Sequence, residues 1–144
     1  MEKKENGHYI KMVNEYLKKF GKKIGVDFRP VDAEGSTTIQ RGSAKIGINV
    51  IEKRNVLLFL SYIMDVPEDK DTQFALYRKL LELNFMQTAD GAFALDAKGK
   101  KDRLYLRALR ILEGLDYEEF RDLLNTVAKV ADEWDDKLIE DFAK

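Results

Sequence analysis

The chain has 144 residues, 44% hydrophobic and 35% charged, with a formal net charge of -1. That size can bury a core without disulfides or a structural metal. The absence of cysteine excludes disulfides, thiolate catalysis and cysteine-ligated zinc. The opening "MEKKENGHYIKM" lacks the apolar run of a signal peptide, and the longest apolar stretch, Val56 to Met64, is too short to span a bilayer as a helix. We therefore expect a soluble, cytoplasmic protein without membrane association, organised as one domain over residues 1–144.

The first periodic segment runs from about Gly7 to Ile24. Tyr9, Met12, Val13, Tyr16, Leu17, Phe20 and Ile24 fall on one helical face, with Gly21 and Gly25 as stop signals. "VDFRPV" offers an edge strand or an irregular link, because Pro30 cannot donate to a sheet ladder. Gly35-Ser36 and Gly42-Ser43 bracket a short β-prone piece. In the strand Ala44 to Glu52, Ile46, Ile48 and Val50 share one face, and Lys45, Gly47 and Asn49 the other. Glu52 to Asn55 turns the chain into Val56–Met64. This strand is apolar on both faces, with Val56, Leu58, Leu60, Tyr62 and Met64 on one and Leu57, Phe59 and Ile63 on the other. A strand of that kind is expected to be covered on both sides, the second by another layer or another subunit.

Asp69, Asp71 and Thr72 offer helix N-caps after Pro67. The helix from Gln73 to Asn84 carries Phe74, Leu76, Tyr77, Leu80, Leu81 and Leu83 over so wide an arc that it reads as central, packed on more than one side. A turn at Ala89-Asp90-Gly91 leads into a hairpin whose connection, Ala97 to Lys100, contains Gly99, suited to a positive φ. The return strand sets Leu104, Leu106 and Ala108 against Tyr105, Arg107, Leu109 and Ile111. Asp116 with Glu119 has the form of a capping box, and Phe120, Leu123, Leu124, Val127, Ala131, Trp134 and Leu138 form the stripe of a last helix. The pattern predicts an α+β fold with an antiparallel sheet.

No catalytic or metal-binding constellation emerges. His8 is the only histidine, and it stands in the charged amino terminus. The acids Asp65, Glu68, Asp69 and Asp71 lack the spacing and glycine of a calcium loop and suit helix capping. Lys98, Lys100, Lys101, Arg103, Arg107 and Arg110 make a basic hairpin. It supports a competing reading as a ligand- or nucleic-acid-binding regulator, against which stand the slight overall acidity and the lack of a recognition motif. Charge is also uneven along the chain. Residues 1–23 hold seven Lys against three Glu, and residues 113–144 eleven acids against four bases. The first and last helices could attract each other, or both could simply be solvated.

The second half carries a likeness. "LYRKLLELN", "GAFALDAKGK" and "LYLRALRILEGLDYEEFRDLLNTVAKVADEWDDKL" resemble the CesT-type (Tir chaperone) family of secretion chaperones and the related YbjN-like proteins, described as candidate sensory-transduction regulators. The likeness covers residues 72–139, and the first 70 residues agree in element order. It implies an α-β-β-β-α-β-β-α domain that is commonly a homodimer, needs no cofactor or metal and has no catalytic role. It further implies a partner polypeptide, held in extended form by apolar grooves and strand edges. On this reading Leu57, Phe59 and Ile63 on the strand, with Phe74, Tyr77 and Leu81 on the helix, are candidates for a dimer interface, a peptide groove or the core.

Overall fold

The computed structural model describes residues 7–143. The elements are α1 (His8–Ile24), β1 (Ser36–Arg41), β2 (Ala44–Ile51), β3 (Val56–Asp65), α2 (Lys70–Met86), β4 (Ala92–Asp96), β5 (Arg103–Ile111) and α3 (Tyr117–Phe142), with one 3-10 turn at Glu52–Arg54. The five strands form a single antiparallel sheet in the order β1-β2-β3-β5-β4, so β3 is central. This is the expected α+β order.

Helices α1 and α3 pack together and onto the sheet, with α3 crossing β2, β3 and β5. The helix-facing strand residues are buried: Ile46, Ile48 and Val50 of β2, Leu57, Phe59 and Ile63 of β3, and Leu104, Leu106 and Ala108 of β5. The register carries this face across the sheet, pairing Val50 with Leu57, Ile48 with Phe59, and Phe59 with Ala108. Phe59 is fully buried and meets Phe120 of α3 edge-on at 5.7 Å. Leu57, Phe59 and Ile63 therefore belong to the core and cannot form a surface. The opposite face of β3 is not covered within the described chain: Tyr62 is 50% exposed, and Val56, Leu58 and Leu60 are partly open.

Local chemistry explains the junctions. Helix α1 begins at Gly7, which has no capping side chain of its own. Glu52 substitutes from the β2–β3 turn, accepting from Gly7 N (2.9 Å) and Ile10 N (3.0 Å). Gly21 does not stop this helix. It lies inside it, buried so close to the Val26 carbonyl that a Cβ would collide with it; the stop is Gly25, at φ 75°. Residues 26–31 form no strand. They fold back along α1, where Asn14 Oδ1 accepts from Val31 N (2.7 Å), Asn14 Nδ2 donates to Val31 O (3.1 Å), and Phe28 stacks on Phe20.

The two-residue Gly42-Ser43 loop has its positive φ at the first position, as a type II′ hairpin turn requires. It is tied to α3 by Ser43, whose N–H (3.0 Å) and hydroxyl (2.6 Å) donate to Asp132, with Asp135 2.8 Å from the same hydroxyl. Asp69 caps α2 by accepting from Thr72 N (2.9 Å), and Asp116 caps α3 through Glu119 N (2.8 Å). In the α2–β4 turn the left-handed residue is Ala89, at φ 50°, and Gly91 is not left-handed. Gly99 likewise keeps an ordinary φ, because the β4–β5 connection is long enough not to need a tight turn.

Among the described residues no ion pair joins α1 to α3. Their contact is aromatic, through Tyr16, Tyr117 and Phe120, with Lys19 and Lys23 over the Tyr117 ring. Lys3 and Lys4 of the basic first segment lie outside the described residues. None of the described helices is long and apolar enough to cross a membrane.

Candidate functional site

Three surface features stand out: a greasy helix, an apolar groove beside it, and an open sheet face. Helix α2 is peripheral, touching chiefly β4, and only Leu76, Leu80 and Leu83 are buried. Its outer side exposes Phe74 (70%), Leu81 (71%), Phe85 (84%) and Met86 (77%). The expected central helix is thus an edge helix whose second apolar side faces outward. Phe85 and Met86 lie beyond the expected helix end at Asn84, since α2 runs on to Met86. The signal for Phe85 is its position one turn beyond Leu81, in line with Phe74.

Between α2 and β4 lies a groove of about 360 Å³ lined by Tyr77, Leu80, Leu81, Phe93, Leu95 and Leu104. Tyr77 is half-buried there, and burial raises its phenol pKa above the ordinary value. The backbone edge of β4 is occupied at its start. Asn84 Oδ1 accepts from Phe93 N (2.8 Å) and its Nδ2 donates to Phe93 O (3.2 Å), while Thr88 makes a reciprocal pair with Gly91 (2.7 and 2.8 Å). The other edge strand, β1, differs. Gly35 O accepts from Val50 N, which sets the alternation along the hairpin and turns the Thr38 and Gln40 backbone groups outward. Among the described residues nothing pairs with that stretch.

The basic hairpin does not act as one patch. Lys98, Lys100 and Lys101 are exposed in the β4–β5 loop, and Arg103 and Arg107 lie on the open sheet face. Arg110 is on the opposite face and pairs with Asp90 at 2.8 Å. The acids near residue 65 are engaged separately: Tyr62 donates to Asp65 (2.8 Å), and Asp69 caps α2. Burial, then the bond to Asp65, raises the Tyr62 phenol pKa. Among the described residues no three metal-ligating side chains come together.

The family model of the Tir chaperone proteins (CesT) matches residues 15–135, most of the chain. The chain belongs to the CesT family. This CesT-family chain shares its fold with several solved structures. The ExsC–ExsE complex matches at 20% identity over 88% of this chain and 95% of the other, with TM-score 0.64. A chain of the heterodimeric ExoU–SpcU complex, from the type III secretion system of Pseudomonas aeruginosa, matches at 18% identity over 91% and 98%, with TM-score 0.63. YbjN from E. coli matches at 16% over 83% and 88%, with TM-score 0.57. No curated protein matches this CesT-family chain in sequence.

Proposed function

We propose that this CesT-family protein is a non-enzymatic chaperone that works as a cytoplasmic homodimer and holds a partner polypeptide in extended form. The observation that carries this reading is the exposed stripe Phe74, Leu81, Phe85 and Met86 beside the apolar α2–β4 groove. Large apolar side chains in a contiguous surface patch mark an interface. Similar folds occur in chaperone–effector assemblies such as the HopA1–SchA complex, which supports a polypeptide as partner.

The two edges of the sheet suit different tasks. With its Phe93 and Gly91 backbone groups already satisfied, β4 is suited to side-chain packing against a second copy through α2. The unpaired Thr38–Gln40 stretch of β1 is suited to strand addition by the partner, whose apolar side chains the neighbouring surfaces would receive.

Sedimentation velocity of wild type and Phe85→Asp tests the dimer, and selection from a displayed random-peptide library tests polypeptide binding. The reading expects a wild-type dimer, a monomeric variant and enrichment of extended apolar peptides. A monomeric wild type that enriches no peptide would overturn it.

A further inference from the structure

The open face of the sheet holds a cation that pairs with no other described residue. Arg107 is exposed at the middle of β5, opposite Leu60 on one side and Ala92 on the other, with Tyr105 and Leu109 as its neighbours along the strand. Leu58 pairs with Leu109, and Tyr62 meets Tyr105 edge-on at 5.7 Å, so the residues flanking Arg107 on the sheet are apolar and aromatic. Leu109 (40%) and Ile111 (61%) extend this surface. Among the described residues Arg107 makes no ion pair and no hydrogen bond. Arg103, on the same face beyond Tyr105, differs: it lies opposite Asp65 and Asp96 in the register, and Tyr105 and then Asp65 raise its pKa.

We propose that this face is a second docking surface for the partner polypeptide, one that selects a carboxylate set among apolar side chains. Charge complementarity decides the occupant. A guanidinium offers paired N–H donors to a carboxylate, and the surrounding leucines and tyrosines would shield that pair from water, which strengthens it. A second copy of this chain stacked face to face about a twofold axis would bring one Arg107 towards the other, which like-charge repulsion opposes. Nucleic acid fits less well: the two rings that could stack on a base, Tyr62 and Tyr105, stand beside the carboxylates of Asp65 and Asp96, which would repel its phosphates, and Leu58, Leu60, Leu109 and Ile111 offer no further stacking plane.

The inference rests on the polypeptide-binding reading and is tested with peptides enriched from the displayed library on wild-type protein. They should carry an Asp or Glu flanked by apolar residues. Arg107→Gln should weaken them roughly tenfold, as should changing the peptide carboxylate to its amide. Combining the two changes should cost little more than either alone, since they remove the same contact. Arg107→Lys should restore part of the affinity. Peptides that bind without a carboxylate, or losses that simply add, would overturn this inference and leave the chaperone reading standing. Failure to enrich any peptide would overturn both. Displacement by a single-stranded oligonucleotide with steep salt dependence would assign the face to nucleic acid, and a face closed by self-association would assign it to a second copy.

Discussion

At the residue scale, two positions show how this chain manages backbone strain and unpaired donors. Ala89 sits at φ 50°, where its Cβ is crowded and glycine would not be. Ala89→Gly should raise stability by about 0.5 kcal/mol, strain relief exceeding the added freedom of the unfolded chain, as read by urea denaturation. Glu52 closes the first turn of α1 from more than forty residues away in sequence. Glu52→Ala should cost about 1 kcal/mol in the same assay, since it exposes the helix donors and removes an anion from the positive end of the dipole. The distant cap was not legible in the sequence, because nothing local joins Glu52 to Gly7. The caps at Asp69 and Asp116 were legible because their partners lie three residues on.

At the scale of elements, the β1–β2 hairpin is held to α3 through Ser43 and Asp132. The Ser43 hydroxyl, then its backbone N–H, lowers the Asp132 pKa from its ordinary value. A depressed folded value means that the stabilisation is present above the unfolded aspartate pKa and is lost as pH falls through the folded one. The stability difference between wild type and Asp132→Asn should therefore be seen at neutral pH and shrink in acid. Thermal melts across that range measure it; a difference that grew on acidification would contradict the assignment. Gly42 takes part in the same junction, since its left-handed φ forms the turn that presents Ser43.

At the scale of the whole molecule, one helix layer on one sheet face sorts the apolar residues into two classes that look alike in sequence. Phe59 lies at the centre of the core, and Phe85 is 84% exposed. Phe59→Ala should cost about 3–5 kcal/mol in denaturant melts. Phe85→Asp should leave protomer stability within about 0.5 kcal/mol while abolishing the proposed dimer, read by unfolding of the isolated monomer and by sedimentation. If Phe85→Asp instead unfolds the protomer, α2 stabilises the fold through contacts with a second copy.

The sequence by itself determined the element order, the periodicity of α1 and α3, the antiparallel class of the sheet and the family likeness. These depend on neighbours a few residues apart: alternation along strands, heptad-like spacing along helices, and caps beside their donors. It also showed that β3 is apolar on both faces. Only the tertiary structure decided which face is core. The pairing of Val50 with Leu57 places β3's Leu57, Phe59 and Ile63 with the buried face of β2, and leaves Leu58, Leu60 and Tyr62 with its Lys45, Gly47 and Asn49 face. A one-residue change of register would have reversed that assignment, and register is set by the Glu52–Asn55 turn and long-range packing, not by local composition. For the same reason only the fold could turn α2 outward, expose Phe85 and surround Arg107 with apolar side chains.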